Sequence, residues 1–348
     1  MIRPELLSLT RAEMKELMAE SFGEKAYRGD QVYDWIHKKG VTDPALMSNL
    51  SKKLREALAS SCRAGTVMQV EKKVSAIDGT RKFLMGLSDG NVVESVLMQY
   101  SYGDSACVSS QVGCAMGCSF CASAIGGFVR NLSASEMLEE IYCMEKDSCR
   151  RIHSTVVMGT GEPLLNYEEL LRFIRILSDP EGDCISQRNI TVSTCGIVPA
   201  IYSLAEEGLQ INLAVSLHAP NDRIRSTIMP VSRKYSISEI LKACSYYFEK
   251  TGRRLTFEYS LIEGVNDSEE KAKELADILS GLNCLINLIP VNPVEERSYR
   301  QTGRQAVLRF KNVLEKRGRN VTIRREIGRD IDAACGQLRK KYMSRETV

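Results

Sequence analysis

Cys114, Cys118 and Cys121 form a C-x3-C-x2-C pattern. Thiolates so closely spaced on one loop bind metal. A C-x2-C pair alone would suit a zinc knuckle or a redox couple. A structural zinc site takes four ligands, however, and Cys143, Cys149 and His153 do not stand at the usual zinc spacing downstream. Three thiolates from one tight loop suit a four-iron cubane with one iron left without a protein ligand. That open iron is a place to bind a chelating substrate. The surrounding run, residues 105–129, holds five Ser, four Gly and four Cys and not one Lys, Arg, Asp or Glu. It is too polar for a bilayer span. Small uncharged residues let backbone amides reach cluster sulfurs and keep stray charge away from the irons.

The elements that must position this loop follow from periodicity. Strand-like apolar runs recur at 106–109, 155–158, 190–193, 213–217, 255–261 and 285–289. Helical patterns follow at 134–146, 167–178, 198–207, 237–249, 269–280 and 303–317. Six βα units argue for a parallel sheet in an α/β fold, a partial barrel or a doubly wound sheet. A last strand is expected at 321–325. Ahead of these units, residues 1–62 read as a small helical domain. Thr10 and Glu13 have capping-box spacing, Val32 and Ile36 share a face in a helix that stops near Gly40, and Leu54 and Leu58 mark a third helix. Residues 63–100 read as a β-meander linker with hairpin signals at Asp78-Gly79 and Asp89-Gly90, and 101–348 as the core domain with a C-terminal extension.

Composition sets the background. The chain has 348 residues, 47 Lys+Arg against 44 Asp+Glu, and 43% hydrophobic residues, which excludes disordered and fibrous classes. Charges at Arg3 and Glu5 occupy the place where a signal peptide needs an apolar stretch. A reducing cytoplasm is therefore expected, where clustered cysteines among the twelve point to metal or catalysis rather than a disulfide framework. From Arg297 to Arg345 there are fifteen Lys+Arg and four Asp+Glu. Solvated helix faces are the ordinary reading of such a run; beside an active site it would attract a phosphate backbone.

The cysteine pattern, with Phe120 just before its last member, resembles the signature of the radical S-adenosylmethionine (SAM) superfamily. The longer run Cys-Val-Ser-Ser-Gln-Val-Gly-Cys-Ala-Met-Gly-Cys-Ser-Phe-Cys-Ala-Ser resembles the RlmN branch of the RlmN/Cfr family. The resemblance extends over nearly the whole chain and implies a partial (β/α)6 barrel. It implies a [4Fe-4S] cluster on Cys114, Cys118 and Cys121, whose open iron takes SAM, with two SAM molecules used per turnover. Gly159-Thr160-Gly161-Glu162-Pro163 is similar to the motif that receives the SAM amine, with Thr160 where the family more often has Met. By the same correspondence Phe120, Gly161, Glu162, Ser193, Ser216, Leu217, His218 and Asn292 belong to the SAM site, at expected C-terminal strand ends.

The family's methyl-carrying cysteine matches Cys335, in Asp-Ile-Asp-Ala-Ala-Cys-Gly-Gln-Leu. Its second cysteine, a base and transient disulfide partner, matches Cys107, and Glu94 matches a proton-accepting glutamate. On a strand, Glu94 shares a face with apolar Val92 and Val96, and orienting the adenine is an equal possibility for it. The other seven cysteines, Cys195 among them, have no expected role. The implied reaction is methylation of adenine C2 in 23S rRNA and in tRNA. The implied partners are those RNAs and a reducing donor such as flavodoxin or ferredoxin, with no membrane and a monomeric chain. A Cfr-type sibling would methylate C8 instead. Gly161-Glu162-Pro163-Leu164-Leu165-Asn166 and Tyr27-Arg28-Gly29-Asp30-Gln31-Val32-Tyr33 are more similar to RlmN. From another class, a non-catalytic RNA-binding protein with structural zinc would carry zinc and no iron.

Overall fold

The computed structural model describes residues 3–331 except 293, 295 and 326. The chain starts with α1 (Arg11–Phe22), α2 (Tyr27–Tyr33) and α3 (Lys52–Ser61). Thr10 and Glu13 close the expected capping box: the Thr10 amide donates to the Glu13 carboxylate at 2.7 Å, and the Glu13 amide donates to Thr10 Oγ1 at 3.3 Å. Three antiparallel strands follow, β1 (Met68–Val74), β2 (Arg81–Gly86) and β3 (Val92–Tyr100), joined by turns at the two Asp-Gly pairs. Then β4 (Gly103–Val108) pairs with β3 and opens the parallel series.

A two-stranded hairpin of β5 (Gln111–Gly113) and β6 (Phe128–Asn131) interrupts the alternation. After it come α4 (Ala134–Ser148), β7 (Ile152–Val157), α5 (Tyr167–Leu177), β8 (Ile190–Thr194), α6 (Val198–Glu206) and β9 (Asn212–Ser216). The series continues with α7 (Asp222–Ile228), α8 (Ile237–Thr251), β10 (Leu255–Leu261), α9 (Glu269–Ile278), β11 (Cys284–Pro290), α10 (Arg304–Lys316) and β12 (Asn320–Ile323). The six expected βα units are all present. The hairpin β5–β6 and the short helix α7 were not legible, because neither is long enough to carry a hydrophobic period.

One ten-stranded sheet runs β1-β2-β3-β4-β7-β8-β9-β10-β11-β12, parallel from β4 onward. The meander is thus continuous with the partial barrel. Its outer face buries Phe83, Met85, Val93, Leu97, Ala106 and Val108 in one core with Leu138, Ile141, Phe173 and Phe257.

The helical domain seats on the outside of α4 and α5. Arg172 donates to Glu13 at 2.6 Å, Tyr33 donates to Asp179 at 3.0 Å, and His37 Nδ1 lies 2.8 Å from the Tyr142 hydroxyl. Burial holds His37 down at about 3, so it packs as a neutral ring.

The C-terminal path returns to the first hairpin. The Gly328 amide donates to Asp78 at 2.9 Å, and Asp330 accepts from Ser75 Oγ at 2.7 Å and from the Ala76 amide at 2.8 Å. Cys335 lies outside the described residues. The basic excess of this part of the chain is partly neutralised where it is described. Arg309 and Arg317 pair with Glu269 and Asp277 of α9, and Lys311 pairs with Glu315.

Candidate active site

The cysteine loop is pinched at its base by β5 and β6. Gly113 has φ +72°, and a Cβ there would lie 1.8 Å from the Gly127 carbonyl oxygen, so only glycine permits the approach. The next residue uses that same oxygen: the Cys114 amide donates to Gly127 O at 3.0 Å. Further along, the Ser119 amide donates to Ile228 O at 2.9 Å, which ties the loop to the end of α7. Cys118 is buried with Ile228, Met229, Ile262 and Val291, and Phe120, Cys121 and Cys195 pack against this cluster. No group of three or more His, Cys, Asp or Glu among the described residues could hold a single metal ion. A cubane takes each thiolate on a different iron, so this donor set need not converge on one point.

The expected SAM-site residues gather around this loop. At the end of β7, Gly161 has φ +115°, and a Cβ would meet Ser110 Oγ and Gln111 Cβ at 2.7 Å. Thr160 zips this turn to the end of β4: its carbonyl accepts from the Ser110 and Gln111 amides at 2.9 and 3.1 Å, and its amide donates to Ser109 Oγ at 2.9 Å. Glu162 is buried. Its amide donates to Gln111 Oε1 at 2.8 Å, and its carboxylate accepts from the Leu164 amide at 3.0 Å and the Cys195 amide at 2.6 Å. Burial raises its pKa against those bonds. The Thr194 hydroxyl and the Cys195 thiol also donate toward this carboxylate.

His218 takes a left-handed backbone, φ +54°. Its Nδ1 accepts from the Ser260 amide at 2.9 Å, which leaves the proton on Nε2. Burial, aided by Arg225, holds its pKa down at about 3. The Phe120 ring meets the His218 ring edge-on, with centroids 4.9 Å apart. Ser193 and Ser216 stand half-buried near the ends of β8 and β9, Leu217 is buried beside Ser216, and Asn292 is exposed two residues beyond β11. The structure therefore brings Phe120, Gly161, Glu162, Ser193, Ser216, Leu217 and His218 to adjacent strand ends around one loop.

Cys107 and Glu94 stand on the wall formed by β3 and β4. Cys107 pairs with Val96, and Glu94 lies two residues before Val96 on β3, so all three share the face opposite the main core. Both Cys107 and Glu94 are buried. The apolar setting expected for Glu94 is corrected by a residue not singled out from sequence. Lys82 of β2, itself fully buried, places Nζ 3.3 Å from Glu94 Oε1. Alternation on β2 could have located it, since Lys82 faces Val96 and Leu84 faces Glu94.

Cys195, which had no expected role, also lies here. Instead of standing apart, it packs against Cys118, and a hydrogen bond between the two thiols holds the Cys118 pKa below its ordinary value. Burial pushes Cys114 the other way, to about 11.

With the geometry in place, the likenesses to known proteins fall into line. Residues 108–276 match the Radical SAM superfamily, and residues 4–64 match the ribosomal RNA large subunit methyltransferase N-terminal domain. A probable dual-specificity RNA methyltransferase RlmN from Lachnoclostridium phytofermentans is 54% identical over 344 residues, covering 99% of this chain and 96% of its own. The chain belongs to the RlmN family of radical SAM RNA methyltransferases. Another RlmN relative, from Lachnospira eligens, is 56% identical and covers 97% of each chain. The crystal structure of a radical SAM methyltransferase from Sphaerobacter thermophilus superposes with a TM-score of 0.92 at 44% identity, covering 96% of this chain and 98% of its own. The RlmN fold is thus shared from the helical domain through the barrel. Among the described residues no helix is long and apolar enough to cross a membrane.

Proposed function

We propose that the chain methylates adenine C2 in RNA, in the peptidyl-transferase region of 23S rRNA and beside the anticodon of tRNA. The observation that carries this reading is the gathering of the three-cysteine loop, buried Glu162 and His218 at adjacent strand ends, with Cys107 and Glu94 on the wall of the same sheet. Cys114, Cys118 and Cys121 would hold a [4Fe-4S] cluster. Glu162 would receive the SAM amine, and Phe120, Gly161, Ser193, Ser216, Leu217, His218 and Asn292 would complete the SAM site. Bound there, the cofactors supply a methyl group from one SAM and a 5′-deoxyadenosyl radical from a second.

Adenine C2 is an electron-poor amidine carbon and cannot displace a methyl group from a sulfonium. The Cys335 thiolate accepts that methyl instead. Loss of a hydrogen atom from it leaves a carbon radical on the Cys335 sulfur, which adds to C2. Cys107 then removes the C2 proton while the unpaired electron of the adduct would return to the oxidised cluster. The Cys107 sulfur bonds to the Cys335 sulfur as the carbon–sulfur bond breaks, and the freed methylene carbon takes up a proton to become the methyl group. Glu94, held by Lys82, accepts a proton or orients the adenine. The target base must be unstacked, at roughly a few kcal/mol, least in loop RNA. Residues 1–62 and the basic C-terminal part offset that cost through phosphate contacts. A flavodoxin- or ferredoxin-type donor supplies electrons to a monomeric cytoplasmic enzyme.

The test is anaerobic reconstitution with iron, sulfide and SAM, followed by mass spectrometry of an adenosine-containing RNA fragment. A brown protein with about four irons and methyl at C2 is expected. Methyl at C8 with none at C2 would mean Cfr-type chemistry, and zinc without iron would sink the radical reading. Cys107→Ala is expected to trap a protein–RNA crosslink that Cys335→Ala prevents. Normal turnover by the Cys107→Ala protein would overturn the release step.

A further inference from the structure

Arg225 of α7 is a fully buried guanidinium that the reaction above leaves unused. Nε donates to Leu217 O at 3.1 Å, and Nη2 donates to Cys195 O at 2.6 Å and to Ser216 O at 3.2 Å. Nη1 is buried without a hydrogen-bond partner. Every acceptor is a neutral backbone carbonyl. Among the described residues no carboxylate forms an ion pair with Arg225 within 4.0 Å. The groups that act on its charge are the thiols of Cys195 and Cys118, and more weakly the carboxylate of Asp222.

A cation taken out of water costs several kcal/mol unless an anion lies close by. The polypeptide around Arg225 supplies mostly carbonyl dipoles, yet the fold places it beneath the cysteine loop. Cys195 makes the connection concrete. Its carbonyl accepts from Arg225, its amide donates to Glu162 at 2.6 Å, and its thiol touches Cys118. The other two bonds of the guanidinium hold Ser216 and Leu217, so one side chain fastens the end of β9 to the turn after β8.

We propose that Arg225 is a positioning residue that balances the negative charge of the thiolate-bound cluster and sets its reduction potential, while fixing the two SAM-site strand ends. This rests on the cluster assignment above. Net charge and hydrogen bonding near the sulfurs are established controls on cluster potential. A cation favours the reduced, more negative cluster, so removing it lowers the potential.

The test is a redox titration of the anaerobically reconstituted protein, with the reduced cluster followed by electron paramagnetic resonance. Arg225→Gln is expected to shift the midpoint to a more negative potential at matched iron content. Arg225→Lys, which keeps the charge and loses the planar fork, is expected to stay near the wild type in potential but to bind SAM more weakly. An unchanged midpoint in loaded Arg225→Gln overturns the proposal and leaves Arg225 a structural tie alone. Should Arg225→Gln fail to load, Arg225→Lys decides: loading with a near-native midpoint supports the charge role, and failure to load or a strongly lowered midpoint refutes it. Wild-type protein that takes up no iron would instead refute the cluster reading.

Discussion

Two buried charges are handled in opposite ways. On the wall of β2 and β3, Lys82 reaches diagonally to Glu94 at 3.3 Å, both almost without solvent exposure. Beneath the cysteine loop, Arg225 is equally buried but hydrogen-bonds only to backbone carbonyls. The first arrangement is closed within the polypeptide: each charge offsets the other. The second is left to carbonyl dipoles, and the charges that act on it are those of the Cys195 and Cys118 thiols and, more weakly, of Asp222. A buried charge is costly in either place, and for Arg225 the proposed balance lies in the neighbouring thiolates. Glu140 of α4 is an intermediate case. It accepts from Ser95 Oγ and from the Ser109 amide, with no cation among those donors. Burial raises its pKa to about 8, so it is held as the neutral acid at pH 7.

The largest effect should come from breaking the closed pair. Lys82→Met takes a buried cation from within 3.3 Å of the Glu94 carboxylate and is expected to cost about 3–5 kcal/mol of unfolding free energy. Adding Glu94→Gln to it should recover most of that loss, as measured by urea denaturation. If the double variant is as unstable as the sum of the singles, the two residues do not act as a unit.

A smaller, pH-dependent effect belongs to Glu140. Its folded pKa of about 8 lies above the ordinary 4.5, so the folded state holds a proton that the unfolded chain releases. Its contribution is complete below about pH 4.5 and is lost as pH rises through about 8, with a slope of at most about 1.4 kcal/mol per pH unit. Glu139, pushed up to about 7, and Asp183, also about 7, share the lower part of this window. Glu140→Gln should therefore flatten the decline across about pH 5 to 8, and between pH 7 and 8 remove most of what remains, seen in melting curves across that range. A decline that Glu140→Gln leaves unaltered would assign it elsewhere.

The smallest effect is a local one. Thr10→Ala removes the N-cap of α1 and should cost about 1 kcal/mol, with denaturant unfolding as the check. A loss near that of Lys82→Met would mean that a partly exposed cap counts as much as a buried ion pair.

How far the site could be read beforehand depends on how local each signal is. The cysteine loop and Gly159–Pro163 are contiguous, and their spacing is already a chemical statement. The six βα units follow from apolar runs whose period is local. Glu94 and Cys107 were legible as residues, but not the lysine beside Glu94: Lys82 stands on a neighbouring strand, and only the β2–β3 register puts it there. Cys195 and Arg225 gave no local sign. One reads as a strand-end thiol, and the other as a surface arginine in a short helix with no period.

By itself the sequence determined the order of the elements, the caps that start several helices, the C-x3-C-x2-C cysteines and the residues at the strand ends. Those depend on neighbours within a few positions, where backbone geometry and side-chain period act directly. Only the tertiary structure decided which charges lose their water and what replaces it. Arg225 and Cys195 meet across 30 residues, Ser95 and Glu140 across 45, and Tyr33 and Asp179 across 146. Burial is a property of the packed whole, and the same arginine that is inexpensive in water becomes, once enclosed, a demand for an anion.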